Sequence, residues 1–211
     1  MSRIEWSKAG ERFFETGIGN GVLYTKGAAG VPWNGLVSVE EAPTGGDVEG
    51  FYFNGVKYLD IVASEDFSAT LTAYAAPPSF AACEGERMLA RGLYVTQQPR
   101  TTFGLCYRTL LGNDLEGTDY GYKLHLVWNC TAQPSNRSYK TLSRDASPDT
   151  RSWTLQSVPP YASDYKPTAH ITIDSTQADP ERLAAVESLL YGSDGLNPRL
   201  PDQVTVIQAF S

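Results

Sequence analysis

The chain has 211 residues, 41% of them hydrophobic, and 17 Lys plus Arg against 24 Asp plus Glu, for a net charge of -7. An acidic balance with no basic run repels a phosphate backbone and argues against sequence-reading of nucleic acid. No apolar run is long enough to cross a bilayer and no charged-then-apolar leader opens the chain, so the expectation is one soluble globular domain, or one domain with an arm.

Residues 1–35 differ from the rest. Gly17, Gly19, Gly21, Gly27, Gly30 and Gly35 break any long periodicity, and this stretch reads as an arm with short extended pieces, with Trp33, between Pro32 and Gly35, as its anchor on a neighbour or on the sheet. A strand follows over residues 36–41. Phe51-Tyr52-Phe53, the turn dipeptide Asn54-Gly55 and residues 56–62 read as a hairpin. Residues 67–75 make another strand, and Pro77-Pro78 open a short helical turn that closes at Gly85.

Phe103, Leu105 and Tyr107 share one parity, as do Tyr122, Leu124, Leu126 and Trp128, while Arg108, Lys123 and His125 take the other. This two-residue period predicts a half-buried antiparallel pair whose polar side meets solvent or a neighbouring subunit. Between the two strands, residues 111–120 read as a polar loop. Short strands are expected at 138–142, 152–158 and 168–174. One helix is expected over residues 180–191, with Asp179 as N-cap, Pro180 in the first position, an apolar stripe of Leu183, Val186, Leu189 and Leu190, and Gly192 as the stop. A loop rich in Gly, Asn and Pro then leads to a last strand at 204–210. The fold class expected is mainly β, a sandwich or barrel with one flanking C-terminal helix, divided into an arm at 1–35 and a single β-rich domain at 36–211.

Little in the sequence points to a reaction centre. The three cysteines, Cys83, Cys106 and Cys130, are odd in number and lack metal-site spacing, so they read as reduced, buried fillers. His125 and His170 can be drawn into a Ser-His-Asp set with Asp174, but no Gly-x-Ser-x-Gly elbow accompanies them. Asn113, Asp114, Glu116 and Asp119 offer hard oxygens without the spacing of an EF-hand and read as a solvated turn. No phosphate loop is present. No catalytic residue, cofactor or metal ligand is assigned on this reading. The aromatics are spread along the chain, Trp6, Trp33, Trp128 and Trp153 included, which fits core and interface better than a concentrated sugar platform.

Several segments in collinear order resemble the major tail proteins of long-tailed, non-contractile phages of actinobacteria. They are Gly21-Val22-Leu23-Tyr24, Val31-Pro32-Trp33-Asn34-Gly35-Leu36, Phe53-Asn54-Gly55-Val56-Lys57-Tyr58, Ala73-Tyr74 through Phe80 with Cys83-Glu84-Gly85, Phe103-Gly104-Leu105 with Tyr107-Arg108-Thr109, Gly112-Asn113-Asp114, Gly121-Tyr122-Lys123-Leu124-His125, and Pro167-Thr168-Ala169-His170 before Ile173-Asp174-Ser175. The resemblance implies a tail-tube fold, hexameric rings stacked into a hollow tube, and partners in the tape-measure, tail terminator and tail-tip proteins. Genomic DNA would pass through the lumen without sequence-specific binding, no membrane would be involved, and assembly in the host cytoplasm would place the product in the virion tail. A neutral or negative lumen suits such passage. It also implies that a long loop reaches the next ring, which makes Leu111, Asn113, Asp114, Glu116, Asp119 and Tyr120, together with Trp33, the expected subunit contacts, with the Gly45-Gly46 loop next in line. The alternatives are a carbohydrate-binding or adhesin-like sandwich and a hydrolase using His125 or His170.

Overall fold

The computed structural model describes residues 3–139, 141, 148–160 and 166–211. Its strands in chain order are β1 (Phe14–Thr25), β2 (Val31–Pro32), β3 (Leu36–Glu41), β4 (Thr44–Gly45), β5 (Val48–Phe53), β6 (Val56–Val62), β7 (Glu65–Asp66), β8 (Ser68–Ala73), β9 (Arg87–Ala90), β10 (Leu93–Val95), β11 (Phe103–Asn113), β12 (Gly117–Ala132), β13 (Arg151–Ser157) and β14 (His170–Asp174). The helices are α1 (Ala81–Glu84), preceded by a 3-10 turn at Pro78–Phe80, α2 (Pro180–Tyr191) and α3 (Gln203–Phe210).

One eight-stranded antiparallel sheet runs β2-β1-β11-β12-β13-β8-β3, and β14 pairs with β12 beside that path. The 16-residue β12 changes partner along its length. It bonds to β14 over Lys123–Val127 and to β13 over Cys130–Ala132. Asn129, at φ 51°, sits at the change, and the resulting irregularity lets the β13-β8-β3 half fold over the β1-β11-β12 half. The inner core draws on both halves: Leu23, Leu71, Leu105, Tyr107, Val127, Trp153 and Leu155 pack with Trp33 and Phe80. The outer face of β1-β11-β12-β14 is covered by α2 and α3 through Val22, Cys106, Leu124, Leu126, Trp128, Leu183, Val186, Leu190 and Val206. The result is the expected mainly-β sandwich with flanking C-terminal helix.

Strand β13 shows why the sandwich forms: Trp153, Leu155 and Ser157 are buried while Ser152, Thr154 and Gln156 are exposed, a strict two-residue alternation. The Asn54-Gly55 hairpin forms as read, with φ of 49° and 76° at the two turn residues, the pair of positive angles that a two-residue turn of the primed type demands. Helix α2 begins and ends where its caps place it, the Asp179 carboxylate accepting from the backbone N–H groups of Glu181 and Arg182.

Several expectations are corrected. The 35-residue arm contains β1, an interior strand bonded to β11 and β2. Irregular register between Thr16 and Ile18 and between Gly19 and Val22 breaks the alternation that would have identified it. The loop at 111–120 is almost entirely ladder: Asn113 faces Gly117, so only three residues turn, and Gly117 at φ 61° supplies the left-handed residue a three-residue hairpin needs. The polar parity of the central pair does not face solvent, because this sheet is covered on both sides: His125 is buried, and Arg108 lies against α2 with its guanidinium 2.8 Å from Glu187 Oε1 and 3.7 Å from the Tyr122 ring centre. Two-residue spacing would put Trp128 and Cys130 on one face, but the break at Asn129 inverts the alternation, so Cys130 lies in the inner core and Trp128 in the outer one. The segment 204–210 is helix α3, not a strand. Its β-branched run mimics a strand, but the Asp202 carboxylate caps the Thr205 N–H at 2.8 Å and the helical repeat buries Gln203 and Val206 together. Of the strand read at 138–142, Ser138 and Tyr139 take no regular structure, and Lys140 and Leu142 lie outside the described residues.

Candidate functional site

The residues expected at a subunit contact make much of their contact within the chain itself. Trp33 is only 3% exposed. Its ring lies 4.7 Å from Phe80 and 5.8 Å from Trp153, and its Nε1–H donates to the Ala75 carbonyl at 2.9 Å. Asn113 is buried, its Oδ1 accepting from the N–H groups of Leu115 and Glu116 at 3.0 and 2.6 Å, which holds the β11–β12 turn. Asp114 Oδ1 accepts from the Gly10 N–H at 2.9 Å, and the Tyr120 ring lies 5.3 Å from Phe13. These contacts tie the segment before β1 to the hairpin. Leu111 is half-buried opposite Glu15 of β1, and Glu116 and Asp119 are exposed. The turn therefore organises the chain's own N-terminal segment.

The apolar surface lies elsewhere. In the β5–β6 ribbon, Phe51, Tyr52, Phe53, Val56, Tyr58, Leu59, Ile61 and Val62 are all exposed, Tyr52 at 68% and Tyr58 at 75%. The ribbon is a separate two-stranded sheet. Two strands alone are marginal in water, and apolar side chains of both parities mean that neither face is the wet one. A second two-stranded ribbon, β9–β10, exposes Met88, Leu89, Leu93 and Tyr94. The sequence carried this signal in the absence of alternation across Phe51-Tyr52-Phe53 and Tyr58-Leu59. Such a pattern belongs to a strand covered on both sides.

Sequence reasoning also missed a polar cluster. His125 and His170 come together on one face of the sheet because β12 pairs with β14, and β3 brings Glu41 to them from the other half of the sandwich. His125 Nδ1 lies 3.2 Å from His170 Nε2 and 3.4 Å from Glu41 Oε1, and His170 Nδ1 lies 3.6 Å from Glu41 Oε2. The Tyr107 hydroxyl donates to Glu41 Oε1, and its ring stacks on His125 at 4.6 Å and 3°. On the far side, His125 Nε2 is 3.0 Å from Thr109 Oγ1, and Glu15 takes the Thr109 proton at 2.5 Å and a Lys123 hydrogen bond at 2.6 Å. Contact with His125, helped by Tyr107, outweighs burial and holds the Glu41 carboxyl down at about 2. Burial pushes the His170 imidazole below its usual range against the pull of Glu41. Burial also raises the three thiols, Cys106 and Cys130 to about 12, which makes them inert fillers.

Thr109, His125 and Glu41 lie in line, yet the order is not that of a working triad. The Thr109 proton is already committed to Glu15, and Thr109 sits in mid-strand, paired with Ile18 on one side and Lys123 on the other. Its neighbouring backbone N–H groups are in the ladder and do not form an oxyanion hole. Asp174, the acid drawn into the hydrolase reading, instead accepts from the N–H and hydroxyl of Thr176.

No protein-family model and no curated protein matches the chain. Among solved structures, the chain is similar to a sheath/tube terminator chain of the PVC extracellular contractile injection system, at 14% identity and TM-score 0.37 over 81% of this chain and 99% of that one. A chain of the anti-feeding prophage baseplate gives 10% identity and TM-score 0.40 over 82% and 99%. The tube-terminating cap of the anti-feeding prophage gives 12% and 0.37 over 83% and 96%. At these scores the likenesses carry no argument about activity.

Proposed function

We propose that this chain is a structural protein of a phage-type tail, assembling as stacked hexameric rings into the tail tube through which the genome passes. The observation that carries the reading is the β5–β6 ribbon, whose exposed apolar residues on both faces require a second protein surface. The collinear sequence resemblance to major tail proteins supports the choice of another copy of this chain as that surface. Open strand edges at β2, β3 and β14 offer further places for subunits to join by sheet extension among the described residues. Tape-measure, terminator and tail-tip proteins would be the other partners, with assembly in the host cytoplasm and the virion tail as destination.

An adhesin-like sugar platform is less well supported, because three of the four tryptophans, Trp33, Trp128 and Trp153, are buried. Negative-stain electron microscopy of the concentrated protein tests the proposal. Six-membered rings, alone or stacked, are the expected images. Particles of single subunits at every concentration would refute it.

A further inference from the structure

Both of the chain's histidines converge on Glu41, and with both imidazoles neutral the hydrogen bonds of that cluster cannot all be made. Thr109 donates its hydroxyl proton to Glu15 Oε1, so toward His125 Nε2, 3.0 Å away, it can only accept. His125 therefore carries a proton on Nε2, and as a neutral imidazole it turns the Nδ1 lone pair inward, toward Glu41 Oε1 at 3.4 Å and His170 Nε2 at 3.2 Å. A neutral His170 has one proton to contribute. Placed on Nε2, it serves His125 but leaves the Nδ1 lone pair facing Glu41 Oε2 at 3.6 Å. Placed on Nδ1, it serves Glu41 but leaves two imidazole lone pairs facing one another. With both rings neutral, acceptor faces acceptor in either tautomer, so the centre of the cluster has a place for one positive charge, carried by a second proton on His125 or by a bound cation.

We propose that Glu41, His125 and His170 form a binding site for a first-row divalent metal ion of the zinc type, held by one carboxylate oxygen and one ring nitrogen from each histidine. The candidate ligand atoms lie within 4.8 Å of one another. The close contacts of 3.2 and 3.4 Å match the edge of a coordination shell with metal–ligand bonds of about 2.0–2.2 Å. Two imidazoles and a carboxylate suit Zn²⁺, Co²⁺ or Ni²⁺ and are a poor set for Ca²⁺ or Mg²⁺. Two of the three ligands are held from behind. Thr109, itself fixed by Glu15, orients His125, and the Tyr107 hydroxyl orients Glu41, as outer partners do in metal centres. Side-chain exposures of 10% for His125, 19% for His170 and 34% for Glu41 leave one side open for water to complete the shell.

The ion's role follows from topology. Among the described residues, strand β3 is bonded to β8 alone, at the opposite end of the sheet path from β1 and β11, so a metal joining Glu41 to β12 and β14 would staple the two halves of the sandwich. This is independent of ring assembly and is readable on the single subunit.

The test uses the full chain, tag removed and stripped with a chelator. Titrated with Co²⁺, it should bind one ion per chain with visible absorption of nitrogen and oxygen coordination, and Zn²⁺, but not Mg²⁺, should raise its unfolding temperature. His170→Gln and Glu41→Gln should each weaken Co²⁺ binding by about 100-fold or more, and Thr109→Val by about 10-fold through the lost orientation of His125. Circular dichroism identifies any variant that fails to fold, and the remaining variants then decide. Absence of a saturable Co²⁺ spectrum in the parent protein, or unchanged Co²⁺ affinity in the folded variants, would overturn the proposal.

Discussion

Trp33 is the residue whose position changes the reading most. Its indole fills the inner core between Phe80 and Trp153 and closes a hydrogen bond to Ala75, so Trp33→Ala should remove about 3–5 kcal/mol of stability by opening a cavity there. Urea unfolding of the variant measures this. A loss below about 1 kcal/mol, with ring formation abolished, would return Trp33 to an interface. The sequence marks Trp33 only as an aromatic between Pro32 and Gly35, and that local pattern is the same for an anchor on a neighbour and for a core ring. Glu41 was invisible for a related reason. Residues 41, 125 and 170 meet only through the pairing of β12 with β14 and the folding of β3 across them, and no spacing within the chain encodes that.

At the scale of elements, legibility followed whether one force dominated. The Asn54-Gly55 turn and the caps of α2 are local chemistry and were readable. Helix α3 was not, because the strand preference of Val204, Thr205, Val206 and Ile207 opposes its cap and its packing, and the cap and packing win. Asp202→Ala should therefore cost about 1 kcal/mol. The Thr205 backbone hydrogen bond holds the Asp202 carboxyl below its usual range. A depressed acid stabilises fully above its unfolded value of about 3.9 and loses that contribution as pH falls through the folded value. In thermal unfolding, the gap between parent and Asp202→Ala should be constant near neutrality and narrow below about pH 4; a gap that widens on acidification would contradict the capping account. Strand β1 supplies a second test. Removing residues 1–12 should leave a folded protein, whereas removing 1–30 deletes an interior strand carrying the fully buried Leu23 and should unfold it. A cooperative unfolding transition in the longer truncation would show that β1 is dispensable after all.

For the whole molecule, the two cores account for the folded chain, and the proposed assembly rests on what they leave out. Alternation put Leu105 and Tyr107 on one apolar side with Leu124, Leu126 and Trp128, whereas the first two face the inner core and the last three the outer one. It could not show that the outer face is covered as well, because α3 and the break at Asn129 determine that. The β5–β6 ribbon contributes nothing to either core, yet concentrates apolar side chains that water disfavours. The central claim is that this ribbon joins copies of the chain, and sedimentation velocity across a concentration series tests it most directly. The triple variant Phe53→Ser, Tyr58→Ser, Ile61→Ser alters only side chains exposed in the subunit, so its fold should survive by circular dichroism. The parent should sediment as rings or longer assemblies at high concentration while the variant stays monomeric; equal assembly of the two would contradict the account.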